Sequence, residues 1–358
     1  MTQSLIRTSV REVAPYSTTS APGVVDLSDN TNLWGTAPCA LDAVRSLDSS
    51  AITRYPTIPP DGLVRAIAEY AGVSSDMIVP GCGSDDLIDC AMRAFAEPGD
   101  TIAFVTPTFS MVPAYAATNG LRMHVVPYSS DFNVDVDALL FPRPRLVYLC
   151  APNNPTGTML SPATVERVVR EAPGIVILDE AYGEFASAAG FSLVTRHERL
   201  VVTRTFSKAF GLAGLRIGYA VLAPALSRAL EAVRGPYKVN AAAAAAATAA
   251  ITDGLSWMQT HADDVARNRD RMRALLASIG LHALPSAANF LCVPCHDSSN
   301  AAARVRARGF ALRALNDLPP ICDSLVRSSG SALRIAVGPW PLMEQVSAAL
   351  QTEGITCE

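Results

Sequence analysis

Between about residues 78 and 220 the chain repeats one cadence: a short apolar run, a loop rich in Gly, Pro and polar residues, then helical spacing of apolar positions. The runs fall at 78–79, 102–105, 123–126, 146–149, 175–178 and 200–202. Their hydrophobicity is continuous instead of alternating, which predicts strands covered on both faces, as in a mostly parallel α/β sheet. Amphipathic stretches such as 87–95 and 162–171 supply the covering helices. Near the carboxyl end the rhythm changes. A strand over 290–293, a helix over 299–308, strands near Phe310 and over 333–337, and a closing helix from Pro341 predict a small α+β unit. The first 45 residues are irregular and are expected to pack with it. The predicted division is a large domain over 46–250 and a small one built from 1–45 and 251–358. The alanine run 241–247 reads as a helix that allows close approach to the sheet or to a partner chain.

Composition narrows the function classes. At 358 residues the chain is long enough for two domains, and 49% hydrophobic with 17% charged residues is a core-forming balance. Lys and Arg number 29 against 33 Asp and Glu, a net charge of −4 with no long block of one sign. A binder of nucleic acid needs a basic face, so that role is not expected. The longest apolar run, 241–247, is too short to cross a bilayer, so no membrane partner is expected. The amino-terminal stretch lacks the apolar core of a secretion signal, and the expected location is cytoplasmic. Eight cysteines at irregular spacing make no disulfide framework. Cys292 and Cys295 form a C-x-x-C beside His296, but they lie in N-F-L-C-V-P-C, which reads as a buried strand with no second pair to complete a metal site. The five histidines form no spaced set, so no metal is expected.

Polar residues gather immediately after several of the apolar runs, and in open α/β sheets the loops at the carboxyl ends of the strands converge on the ligand. After Val79 comes G-C-G-S-D-D, with Gly83, Ser84 and Asp85 opening a helix. After Leu149 comes C-A-P-N-N-P-T-G, and after Leu178 come Asp179, Glu180, Ala181 and Tyr182. After Val202 comes T-F-S-K-A-F-G-L-A-G-L-R-I-G-Y, residues 205–219. Singly each loop is an ordinary turn or cap. A dinucleotide-binding fold would need G-x-G-x-x-G; the first loop lacks the third glycine, and that fold leaves Lys208 unexplained.

Taken in order, these loops resemble those of the fold-type-I pyridoxal-phosphate aminotransferases, specifically the histidinol-phosphate aminotransferase branch. The resemblance runs from about Tyr16 to the carboxyl end and is most specific over 207–219, in the frame S-K-x-x-G-L-x-G-x-R. It implies a mostly parallel seven-stranded sheet in the large domain, a small α+β domain from both termini, and a homodimer with shared active sites. It implies pyridoxal 5′-phosphate as cofactor, with Lys208 forming the Schiff base and, as a free amine, shuttling a proton. Asp179 then faces the pyridine nitrogen, while Tyr182 and Asn154 hydrogen-bond the ring oxygen. Gly83, Ser84 and Asp85, with Ser207 and Arg216, form the phosphate cradle, where a helix start suits an anion. Phe109 stacks on the ring, and Tyr55 in R-Y-P reaches the phosphate of the neighbouring subunit. Arg334, Arg313 and Tyr16 correspond to residues that contact substrate.

The implied reaction moves an amino group between a donor (histidinol phosphate, an aromatic or a specialised amino acid) and a 2-oxo acid in two ping-pong halves. A decarboxylase of the threonine-phosphate decarboxylase type, on the same fold with nearly the same anchors, is the rival. A non-catalytic ligand sensor would be expected to carry an added DNA-binding domain. The chain departs from the family pattern on the substrate side. The element N-E-N-P-x-G reads N-T-N-L-W-G here, with Thr31 for the acid and Leu33 for the proline. The stretch 318–326 reads as extra length, and Lys238 stands where asparagine is common.

Overall fold

The computed structural model describes residues 5–11, 13, 15, 23–186, 188 and 190–356. Its strands, in chain order, are β1 (Val25–Asp26), β2 (Ile78–Gly81), β3 (Thr101–Thr106), β4 (Arg122–Pro127), β5 (Leu146–Cys150) and β6 (Ile175–Asp179). They continue with β7 (Leu200–Thr205), β8 (Gly218–Leu222), β9 (Phe290–Pro294), β10 (Phe310–Ala311), β11 (Arg313–Leu315) and β12 (Ala332–Ala336). Seven of these form one sheet in the order β2-β8-β7-β6-β5-β3-β4. The pairs among β3 to β7 are parallel, and only β8 runs against its neighbours.

All six predicted runs lie in strands. Continuous hydrophobicity serves both faces at once: Val147 and Leu149 of β5 join one buried cluster, while Leu146, Tyr148 and Cys150 join the other. The expectation of burial on both faces fails at β4, the edge strand, where Met123 and Val125 are exposed. The sequence reading also missed β8, treating Gly218 and Tyr219 as the tail of a loop. All five β8 residues are buried, and a side chain at Gly218 would sit 2.6 Å from the backbone nitrogen of Ser84. The glycine is there because strand and helix start touch.

Helix boundaries follow local chemistry. The helix Pro162–Glu171 begins where the Ser161 side chain accepts from the Thr164 N–H, with proline at the first position, where its missing N–H costs nothing. The helix Ala241–Thr252 is capped in the same way by Asn240. Within the chain it packs chiefly against the helices Pro38–Arg45 and Asp61–Ala71, so its alanines serve helix–helix approach. At the carboxyl end β9, β11 and β12 form an antiparallel three-stranded sheet, and β1 pairs with β10 in parallel. Cys292 lies in β9 and is fully buried, with Cys295 buried just after it.

Candidate active site

Strands β2, β5, β6 and β7 all end toward the same edge of the large sheet, and the loops that follow them hold most of the residues singled out above. Register sets the first group. Cys150, Asp179 and Thr203 are side-by-side partners on β5, β6 and β7. The Tyr148 hydroxyl donates to Asp179 Oδ2 at 2.7 Å, while Ala181 N–H and the Thr203 hydroxyl donate to Oδ1 at 3.1 and 3.3 Å. Burial pushes the Asp179 carboxyl up to about 6, against the pull of those three donors. A buried carboxylate with fixed orientation suits a cationic N–H partner.

The second group is a cradle. The helix Ser84–Phe95 starts at Gly83, which has φ +92° and offers its first N–H groups no capping side chain. Arg216, itself in the left-handed region at φ +53°, reaches Asp85 Oδ1 at 3.0 Å and the Ser207 hydroxyl at 3.4 Å. A β-carbon at Gly83 would lie 2.3 Å from Asp85 Oδ1 and 2.7 Å from Arg216 Nη2. Gly83 is therefore fixed twice, by its conformation and by the side chains that close over it. A helix start, a guanidinium and a hydroxyl gathered in one place suit an anion.

The third group surrounds Lys208. Its ammonium donates to the backbone carbonyl of Asp29 at 2.8 Å and sits 5.8 Å from the centre of the Tyr182 ring. Loss of solvation, then the positive charges of Arg334 and Arg216, pull the lysine down to about 8. The Tyr182 hydroxyl accepts from Asn30 Nδ2 at 3.1 Å, and burial pushes it up to about 12. The lysine loop is held against the segment before it: a β-carbon at Gly211 would lie 1.9 Å from the carbonyl oxygen of Gly35.

Arg334, buried on β12, donates to Asn154 Oδ1 and to the carbonyl of Ser28. Arg313 is its direct partner across the β11–β12 pair. Directly opposed residues share a face, with β-carbons about 5 Å apart.

The structure thus brings together Gly83, Ser84, Asp85, Ser207 and Arg216 in one group, Asp179 in another, and Lys208, Tyr182, Asn154 and Arg334 around Ser28 to Asn30. Phe109 is half-buried against the core beneath β3. Tyr55 stays apart: it is 80% exposed and stacks on Tyr237 at 4.5 Å. Tyr16 lies outside the described residues. Lys238 pairs with Asp86 at 2.8 Å, next to the cradle. The sequence reading did not pick out Tyr148, Thr203 or Asn30, nor the buried cluster in which Arg204 bridges Glu180 at 2.7 Å and Glu184 at 3.2 Å. Polar residues inside otherwise apolar strands, as in L-V-Y-L-C and L-V-V-T-R-T, were the available signal. Among the described residues no group of three or more His, Cys, Asp or Glu could hold a metal, and no helix is long and apolar enough to cross a membrane.

A family model described as aminotransferase class I and II matches residues 22–348. The chain is 42% identical over 321 residues to a histidinol-phosphate aminotransferase of Roseiflexus castenholzii, covering 86% of this chain and 85% of that one. It is 38% identical over 305 residues to an aromatic amino acid aminotransferase of Rhodococcus jostii, covering 83% and 84%. A crystal structure of histidinol-phosphate aminotransferase from Sinorhizobium meliloti in complex with pyridoxal 5′-phosphate superposes with a TM-score of 0.82 at 29% identity, covering 92% of this chain and 90% of that one.

Proposed function

This chain belongs to the class I and II aminotransferases, and from that premise we propose that it takes the amino group of L-histidinol phosphate and passes it to a 2-oxo acid. The observation that carries the choice of donor is the pair of facing arginines. Arg313 and Arg334 oppose each other across β11 and β12, so two guanidinium-bearing side chains start from one face, and a phosphate dianion can accept from both where a single carboxylate is satisfied by one. The Roseiflexus relative supports the same donor. A second reading, an aromatic amino acid, is favoured by Leu33 and Trp34 in the segment that precedes the lysine loop, and by the Rhodococcus relative. The names of both relatives favour amino transfer over the decarboxylase alternative.

The cofactor is pyridoxal 5′-phosphate, and the residues present fit it: an uncapped helix start closed over by Arg216 for the phosphate, a buried carboxylate for a ring N–H, and a lysine with a lowered pKa. Gly83, Ser84, Asp85, Ser207 and Arg216 would hold its phosphate. Asp179 would face the ring nitrogen, Tyr182 and Asn154 the ring oxygen, and Phe109 the ring face. When bound, the cofactor supplies an electron sink for the substrate carbon that carries the amino group.

The chain's own residues handle the protons. With Lys208 near 8, roughly one amine in ten is neutral at pH 7, far more than for an ordinary lysine, so Nζ can take a proton and return it. The Asp29 carbonyl receives the ammonium that results. Asp179, near 6, remains mostly ionised at neutral pH, and the Tyr148 and Thr203 hydroxyls fix its two oxygens. Arg334 is kept in place by Asn154 and Ser28, ready for the substrate anion.

The proposal includes the division into 46–250 and the two ends, which the pairing of β1 with β10 supports. It includes a homodimer in which Tyr55 serves the partner's site. The exposure of Tyr55, Ile52 and Ile58 on one short stretch supports that. It also includes a cytoplasmic location, supported by seven free thiols among the described cysteines. The test mixes cofactor-loaded protein with L-histidinol phosphate, phenylalanine or tyrosine under single-turnover conditions and follows the cofactor's visible absorbance. Rapid, saturable loss with histidinol phosphate is expected. Loss with only the aromatic amino acids would replace the first reading by the second.

A further inference from the structure

Three consecutive residues each contact one side chain of the site. The carbonyl of Ser28 accepts from the Arg334 guanidinium, the carbonyl of Asp29 accepts from Lys208 Nζ at 2.8 Å, and the side-chain amide of Asn30 donates to the Tyr182 hydroxyl at 3.1 Å. The first two contacts use backbone and are open to any residue type. The third needs the side chain of Asn30, and the rest of this residue's surroundings hold that side chain in place. Asn30 is 1% exposed and has φ +54°, a conformation that asparagine tolerates better than most side chains. Its own carbonyl is held by Asn289 Nδ2 at 3.1 Å, from the turn that leads into β9. Its amide oxygen is buried and has no hydrogen-bond partner among the described residues, so only the N–H end of the side chain is engaged.

A phenol has one proton to give and two lone pairs. When the Asn30 amide donates into a lone pair, the phenol's proton cannot also be committed toward residue 30 and is left for another acceptor. We propose that Asn30 is a positioning residue: by donating to the Tyr182 hydroxyl it turns the phenol's single proton toward the cofactor's ring oxygen. Small-sheet geometry reaches the ring through the same link, because Asn289 sets the backbone of Asn30. The inference rests on the reading of Tyr182 given under Proposed function and adds the residue that orients it.

The test reads the bound cofactor's visible absorbance as a function of pH, without substrate, in Asn30→Gly, Asn30→Asp, Tyr182→Phe and the two double variants. Glycine and aspartate both accept a positive φ, so the backbone turn survives in each. A hydrogen bond to the deprotonated form of a group lowers its pKa, so losing the tyrosine's donation raises the midpoint. Tyr182→Phe is expected to raise it, and Asn30→Gly to raise it by roughly half a pH unit or more, the scale of one neutral hydrogen bond. Asn30→Asp replaces the donor by a charged acceptor that captures the phenol's proton, and is expected to raise the midpoint at least as far as Tyr182→Phe, its own charge adding to the lost donation. In the Tyr182→Phe background Asn30→Gly should not move the midpoint further, and Asn30→Asp should leave only the direct effect of its charge, a smaller shift than in the wild-type background.

A midpoint unchanged in Asn30→Gly and Asn30→Asp, with Tyr182→Phe shifted, overturns the inference alone. An Asn30→Gly shift that adds to that of Tyr182→Phe, or an Asn30→Asp shift equal in both backgrounds, overturns it as well, because Asn30 would then act independently of the phenol. A Tyr182→Phe midpoint equal to wild type overturns the underlying reading of Tyr182, and a wild-type protein with no visible absorbance overturns the cofactor assignment itself. Should Asn30→Gly fail to fold, Asn30→Asp and its double variant carry the test.

Discussion

Removing the charge of Asp179 should stabilise the cofactor-free protein while disabling it. Burial moves this carboxyl from an ordinary 3.8 to about 6, so the folded chain holds a proton there that the unfolded chain has released. A group with a raised folded-state pKa contributes its full stability below the unfolded value and loses it as pH rises through the folded one. The window therefore runs from about pH 4 to above pH 6, and two units of difference correspond to about 3 kcal/mol. Asp179→Asn keeps the shape and an acceptor for Ala181 N–H, and it does not titrate. Urea denaturation of both cofactor-free proteins across pH 4 to 7.5 should give a stability difference that grows in favour of the Asp179→Asn variant by about 3 kcal/mol. The difference between curves is the quantity to follow, since any fixed cost of rearranging the Tyr148 hydroxyl cancels from it. With cofactor present the ionised carboxylate gains a cationic partner, so the trend should flatten or reverse. Parallel pH curves for the two cofactor-free proteins would refute the claim that Asp179 is held at the expense of the fold.

The remaining predictions concern the cradle, the lysine and the cluster behind them. Gly83→Ala must adopt φ +92° and displace Asp85 and Arg216, so cofactor retention should weaken by tenfold or more, on the order of 1–3 kcal/mol, with the fold retained; equilibrium dialysis checks this, and unchanged retention would place the phosphate elsewhere. Lys208→Ala should abolish the Schiff-base absorbance and all turnover while leaving the far-ultraviolet spectrum intact, and a fully active variant would end the mechanism. Arg204→Met leaves Glu180 and Glu184 buried without their cation, which should cost about 3–5 kcal/mol in urea denaturation at neutral pH. A loss under about 1 kcal/mol would refute the reading of Arg204 as the cation that compensates the two buried glutamates.

The strands were legible because a sheet covered on both faces writes its positions as unbroken apolar runs, and the cofactor loops because they follow those runs in a fixed order. β8 was missed because its first residues, Gly218 and Tyr219, were read as the end of the lysine loop, and the reason for that glycine lies in the helix start beside it. The departures noted in the sequence were Thr31 and Leu33, and the role of the segment Ser28 to Asn30 just before them was hidden for a physical reason. Two of its three contacts are made by carbonyl oxygens that any residue would supply, and the third depends on a tyrosine 152 positions away. Tyr148 and Arg204 did leave a trace, as polar side chains inside buried strands, where each must have a partner. Tyr55 was readable only through resemblance, because within one chain it meets little beyond Tyr237.

The same burial that makes this site expensive also tunes it. Loss of water pushes Asp179 up and Lys208 down, because one is an acid whose charged form is the base and the other the reverse. Both shifts bring a proton-holding group close to neutral pH, where transfer in either direction is easy. The first cause for each is desolvation; the charges of Arg334 and Arg216 add to it at Lys208, and three hydrogen bonds oppose it at Asp179. Structural residues that exclude water from this edge of the sheet thereby set the acid–base behaviour of the reacting groups. A cavity opened beneath Asp179, for example by Tyr148→Ala, should admit water and move the carboxyl back toward its ordinary range even though a hydrogen-bond donor is lost. Acting alone, loss of that donor would push the carboxyl further up. The pH dependence of cofactor-free stability distinguishes the two: a window narrower than in wild type supports control by water exclusion, and a wider one refutes it.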